Sequence, residues 1–135
     1  MHRSVELAAE LGIGSKVLFT GFLRGDDVQK IYKMADLFVM PSVSEPFGLV
    51  PLEALDNEVP VIISKQSGVS EVLTHALKVD FWDTNEIANK IVAVLKYPSL
   101  KMTLQNHGNF EVRKLRWKDS ARKCARIYEE AMVPV

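Results

Sequence analysis

Short apolar runs alternate with helical periodicities along the whole chain. Met1 to Leu11 reads as a helix with Val5, Ala8, Ala9 and Leu11 on one side, and Gly12 is a natural stop. Lys16-Val17-Leu18-Phe19-Thr20 is a β-branched and aromatic run closed by Gly21, which predicts a strand. Asp26 or Asp27 can cap a helix running to Met34 or Ala35. Asp36 to Met40 predicts a second strand, and its unbroken apolar character suits a strand covered on both faces. After a polar loop from Ser42 to Pro46, a helix starts near Gly48. Pro60 to Ser64 predicts a third strand, Val69 to His75 a short helix, and Leu77 to Phe81 a fourth strand. Helices are expected from Thr84 to Leu95, capped by Asp83 or Thr84, and from Ser99 to about His107 or Asn109. The last helix runs from Trp117 to Met132, where Trp117, Ala121, Cys124, Tyr128 and Met132 make one apolar stripe. Strands separated by helices imply parallel βαβ units with right-handed crossovers. The predicted fold class is therefore α/β, a Rossmann-like open parallel sheet. Ligands of such sheets sit beyond the C-terminal strand ends.

Composition narrows the function classes. The 135 residues fit one domain, and 47% hydrophobic residues exclude a disordered chain. Lys+Arg and Asp+Glu both number 17, so the formal charge is zero, which argues against a general nucleic-acid binder. No apolar run is long enough for a transmembrane segment, and the first residues lack the apolar core of a signal peptide. Cys124 stands alone, so neither an internal disulfide nor a cysteine metal cluster is expected. A cytoplasmic location is the expectation.

The loop after the second predicted strand carries the chemistry. It reads Pro41-Ser42-Val43-Ser44-Glu45-Pro46-Phe47-Gly48-Leu49-Val50-Pro51-Leu52-Glu53-Ala54. Strand, tight loop and helix start together form a layout for holding anions, with the backbone N–H groups of Phe47, Gly48, Leu49 and Val50 pointing outward. Gly48 permits close approach of a ligand, and Pro51 falls in the first helical turn, where its missing N–H costs little. A carboxylate accepts two hydrogen bonds from a vicinal diol, so Glu45 and Glu53 suit a ligand with phosphate and sugar parts. On spacing alone, the simpler reading is that Glu45 is a solvated loop acid and Glu53 an early-helix acid favoured by the dipole.

Glu45-Pro46-Phe47-Gly48-Leu49-Val50-Pro51-Leu52-Glu53-Ala54 closely resembles the two-glutamate motif of retaining GT-B glycosyltransferases of the group 1, or family 4-like, type, with the same seven residues between the glutamates. Val17 to Phe22, Tyr32 to Ser42, Pro60 to Ile62 and Gly68 to Val72 resemble that family's flanking elements in the same order. The resemblance implies a partial C-terminal, nucleotide-sugar-binding domain over residues 1–135, acting in carbohydrate biosynthesis. It implies that Glu45 contacts the donor sugar's hydroxyls as the catalytic acid-bearing position, and that Glu53 holds the ribose. It places Gly48, Leu49 and Val50 N–H groups on donor hydroxyls and diphosphate, with Phe47 beside them and the backbone near Val17 edging the base. It implies a hexose moved from a nucleotide-diphosphate sugar to a sugar or glucan acceptor, with no metal and no other cofactor. The family's first C-terminal strands, with the Arg and Lys that meet the diphosphate, and its acceptor-binding N-terminal domain have no counterpart in these 135 residues. The isolated chain is therefore expected to transfer no sugar. It is expected to self-associate through bare sheet edges. A nucleotide-sugar-binding module that needs a partner chain, or a truncated non-catalytic product, are the alternatives. Where the family has small residues and a glycine after Ala54, this chain has Leu55-Asp56-Asn57-Glu58. Thr74 to Asp83 resembles a bacterial glycogen or α-glucan synthesis branch.

Other features are less specific. His2, His75 and His107 show no ligand spacing and read as surface histidines. Gly68, Ser70 and Glu71 either line the donor pocket or form a helix cap. The basic run from Arg113 to Arg126 reads as a solvated helix face diluted by acids. The Trp117 stripe reads as core, or as a surface for an N-terminal domain.

Overall fold

The computed structural model describes residues 2–132. Three parallel strands, β1 (Phe38–Met40), β2 (Val61–Ser64) and β3 (Leu77–Val79), lie in the order β1-β2-β3. Phe38 pairs with Val61 and Ile62 with Leu77, which sets the register of the whole sheet. The described residues also form seven α-helices: α1 (His2–Glu10), α2 (Asp26–Met34), α3 (Leu49–Asp56), α4 (Val69–Val72), α5 (Thr84–Lys96), α6 (Pro98–Val112) and α7 (Trp117–Ala131). The expected first residue of α1, Met1, lies outside the described residues.

The central strand shows why the sheet forms. Val61, Ile62, Ile63 and Ser64 are all buried, as an apolar parallel strand covered on both faces requires. Val61 and Ile63 join Tyr32, Ala54, Leu55, Val69 and Leu73 in one core cluster. Ile62 points the other way by the strand period, and α5 packs on β2 and β3 with Val94 fully buried. α3 covers β1 and β2, and α6 touches both α3 and α5. Burying a side chain such as Leu55 contributes about 2 kcal/mol. Gly108 lets α6 approach α3, because a Cβ there would lie 2.5 Å from Leu55 Cδ2. The Asn109 amide then donates to the carbonyls of Leu55 and Asp56 at 3.0 and 3.1 Å, satisfying the orphan end of α3.

Four expectations are corrected. The predicted strand at Lys16–Thr20 is instead a 3₁₀ turn, Gly14–Lys16, followed by backbone that is extended at Val17 but unpaired. A β-prone segment without a neighbour has no ladder to join, and Leu18 is left 82% exposed. The cap of α2 is Gly25 at φ 54°, with Asp26 and Asp27 inside the first turn, where their charge favours the dipole. The short helix after β2 stops at Val72, and Leu73 turns to extended backbone to enter the core. No residue of α7 is buried, and Trp117 is 79% exposed, so its stripe is not core. The expected Asp83 cap of α5 is present, accepting from the Glu86 N–H at 2.8 Å.

Candidate functional site

The loop from Pro41 to Gly48 lies at the C-terminal end of β1, and a second loop, residues 65–68, leaves the same end of β2. The two are tied together. Glu45 and Ser67 form a parallel bridge, the Gly68 N–H donates to the Glu45 carbonyl at 3.0 Å, and the Val69 N–H donates to the Phe47 carbonyl at 2.6 Å. A Cβ on Gly68 would lie 2.1 Å from the Pro46 carbonyl oxygen, so only glycine allows this approach. The second loop is itself fixed from below. Ser67 Oγ donates to the Ser64 carbonyl at 2.7 Å, and both serines are buried. Lys65 pairs with Asp80 at 2.8 Å.

The loop is thereby delivered in one conformation to α3. Gly48 is the N-cap, at φ 94° and ψ 79°, a left-handed geometry that side chains resist. Space is tight as well, since a Cβ would come within 3.2 Å of Glu45 Cγ and Met40 Cε and those side chains would have to shift. Glu45 is half-buried against this glycine. No side chain caps α3. The N–H groups of Gly48, Leu49 and Val50 consequently have no acceptor among the described residues and carry the positive end of the helix.

Glu53 lies four residues after Leu49, on the same helical face. Its carboxylate is exposed but anchored: the Tyr32 hydroxyl lies 3.3 Å from Glu53 Oε2 and 3.4 Å from the Val50 carbonyl. Burial of Tyr32, with the Glu53 charge and this hydrogen bond, pushes the phenol up to about 12. Tyr32 is a site neighbour that sequence reasoning missed; the sequence marks it only as the start of the flanking segment Tyr32 to Ser42. Val17, expected to edge a base, is extended and partly exposed. A cleft of about 360 Å³ opens beside Phe47 and Leu49, walled on its other side by the start of α7; neither Glu45 nor Glu53 lines it.

The histidines are also placed. His75 and His107, distant in sequence, stack with ring centroids 4.8 Å apart. Glu111 accepts the Thr74 and His75 N–H groups at 2.8 and 2.9 Å. Burial alone would raise the Glu111 carboxyl, but these hydrogen bonds outweigh it and hold it below the usual range. No group of three or more His, Cys, Asp or Glu among the described residues is arranged to hold a metal ion.

The three-stranded parallel sheet and its helices have the fold of GT-B glycosyltransferases, which solved relatives share. The chain belongs to the family of glycosyl transferases group 1, whose model matches residues 2–109. It is 35% identical over 132 residues to an uncharacterized glycosyltransferase of Methanocaldococcus jannaschii, covering 94% of this chain and 34% of that protein. It is 30% identical over 140 residues to mannosylfructose-phosphate synthase of Agrobacterium fabrum, covering 100% of this chain and 31% of that protein. Among solved structures, sucrose-phosphate synthase from Thermosynechococcus elongatus superposes with a TM-score of 0.83 at 32% identity, over 96% of this chain and 34% of that one. The C-terminal domain of a glycosyl transferase group 1 family protein from Francisella tularensis shares the fold, with a TM-score of 0.76 at 23% identity, over 84% of this chain and 60% of that one. The chain spans about a third of the length of the curated relatives it matches. No helix of the described residues is long and apolar enough to cross a membrane.

Proposed function

We propose that this chain is the donor-binding part of a retaining hexosyltransferase that takes a nucleotide-diphosphate sugar as substrate. The observation that carries the reading is the left-handed Gly48 cap, which presents the first N–H groups of α3 beyond the end of β1 with Glu45 packed against it. The Gly48, Leu49 and Val50 N–H groups hold the diphosphate and donor hydroxyls. Their fixed dipoles stabilise the charge that develops on the leaving diphosphate, with no metal needed for that role. Glu45 binds the hydroxyls of the transferred sugar, and Glu53, braced by Tyr32, takes the ribose diol. Phe47 supports the loop, and the backbone at Val17 borders the base. The acceptor saccharide is held by a part of the enzyme outside these residues, in keeping with the third of the relatives' length that the chain spans. Relatives named for phosphorylated disaccharide synthesis support a sugar acceptor rather than a nucleic acid.

The isolated chain is expected to bind donor without transferring it. Incubation with several nucleotide sugars and a broad acceptor set tests this. Product above a Glu53→Ala control overturns the expected inactivity; the absence of nucleoside diphosphate binding by titration overturns the donor-site reading itself. A second reading, a binding module completed by another chain, is favoured by one observation. β1 is an edge strand, and a cleft lined by Phe38 and Val39 on one side and Thr20 and Gly21 on the other leaves room for a further strand.

A further inference from the structure

We propose that α7 is a self-association surface, on which α7 of a second copy of this chain pairs antiparallel. No residue of the donor loop takes part, so this surface stands independently of the donor site. A helix of 15 residues is marginal in water by itself, and helices in proteins are held chiefly by packing an apolar face. α7 has such a face and leaves it open. Trp117, Ala121, Cys124, Tyr128 and Met132 follow one another at three- and four-residue spacing, and all five are exposed. Asp119 is the only residue of the helix that is even half-buried.

The charges beside the stripe decide what covers it. Within the helix, Arg122 is paired with Asp119 at 3.0 Å and Arg126 with Glu130 at 3.1 Å. Lys118 and Glu129 make no ion pair among the described residues, and neither lines the cleft at the start of α7. They are eleven residues apart, close to three full turns, so both sit on one flank of the stripe. They also stand almost equally far from the middle of the helix, Lys118 six residues before Cys124 and Glu129 five after it. A two-fold axis near Cys124 therefore sets each Lys118 beside the Glu129 of the other copy, twice by symmetry. The same register brings Trp117 of one copy level with the space between Tyr128 and Met132 of the other. The small Ala121 and Cys124 are left near the axis, where the two helices cross most closely. A parallel pair would set like charges against each other at both levels. An anionic lipid surface fits less well, because Glu129 and Glu130 would meet its headgroups. The paired length of about 22 Å is short for a stable dimer, so association belongs in the micromolar range.

Sedimentation velocity on the chain from about 1 to about 300 μM tests the pairing, and a monomer–dimer equilibrium is expected within that range. Lys118→Glu and Glu129→Lys, each alone, turn two attractive contacts into two repulsive ones and should weaken the dimer about tenfold. The double variant Lys118→Glu/Glu129→Lys restores opposite charges across the axis and should return the affinity to that of the unaltered chain. Both positions are exposed, so the circular dichroism spectrum should not change. Cys124 is the chain's one cysteine and is exposed, so a short-spacer bismaleimide should link two copies through it, and Cys124→Ser should abolish the link. A monomer at every concentration overturns the proposal, and if that monomer binds phosphatidylserine vesicles the face belongs to a lipid. Association that ignores the single charge reversals, that the double variant does not rescue, or that gives no Cys124 link also overturns it, and assigns self-association to the bare sheet edge instead.

Discussion

Substituting Gly68 by alanine probes the brace that holds the donor loop. Gly68 has φ −59° and ψ −32°, an ordinary right-handed conformation, so alanine brings no backbone strain. Its cost comes entirely from the added methyl, which would sit 2.1 Å from the Pro46 carbonyl oxygen and 3.0 Å from the Pro46 carbonyl carbon. Backbone cannot rotate aside as a flexible side chain can, so the two loops must part. Overpacking of this kind costs about 1–3 kcal/mol. Parting also breaks the bonds from the Gly68 and Val69 N–H groups, each contributing about 1 kcal/mol net. The sum is about 3–5 kcal/mol, or a fall in Tm of roughly 10–20 °C for a chain of this size. Thermal unfolding followed by circular dichroism reads the stability, and titration of UDP reads the site. Both should fall in Gly68→Ala. Gly14→Ala is the control, since a Cβ at Gly14 meets nothing within 4 Å. A Gly68→Ala protein with unchanged Tm and unchanged UDP affinity would refute the claim that the second loop positions the first.

Tyr32 should titrate near pH 12 by absorbance, and Glu53→Gln should lower that value only part of the way, because burial is the larger cause. A phenol raised on folding contributes stability that is complete below about pH 10 and lost as pH rises towards 12; a denaturant series across that window reads the loss. Glu111 has the opposite sign. Its folded pKa is lowered, so its contribution is present above the ordinary carboxylate range and disappears as pH falls through the folded value. Glu111→Ala should cost about 1–3 kcal/mol at neutral pH, read by denaturant unfolding, because two N–H donors lose their acceptor. Glu58 adopts φ 61°, a strained position for a side chain, and Glu58→Gly should raise stability by up to about 1 kcal/mol in the same assay.

The parts of the fold that were legible are those where local pattern and tertiary context agree. β2 is apolar at every position facing the core and is buried at every position, and the Asp83 cap follows from a side chain three residues before the N–H it accepts. The helix entry at Gly48 was legible because glycine and proline mark backbone needs there, whereas the pairing of Glu45 with Glu53 came from resemblance and not from spacing. Reading failed where the answer depended on a neighbour. Lys16 to Thr20 has strand composition but no strand to pair with, and α7 has a core-like stripe but no core beside it. The departure at Leu55-Asp56-Asn57-Glu58 was visible as a missing glycine, and its consequence is the left-handed Glu58. The Gly68 brace, the Tyr32 hydroxyl on Glu53 and the His75–His107 stack join residues distant in sequence, and no spacing rule encodes such contacts.

Calorimetric titration of UDP, ADP and GDP against the chain and its Glu53→Ala and Glu45→Ala variants tests the donor site most directly. At least one diphosphate should bind, and Glu53→Ala should weaken it by about tenfold or more, as loss of charge-assisted bonds to a ribose requires. Glu45→Ala should spare the bare diphosphate while weakening the matching nucleotide sugar. Equal binding by the chain and its Glu53→Ala variant, or no binding of any of the three, would contradict the assignment of this loop and helix to a nucleotide sugar.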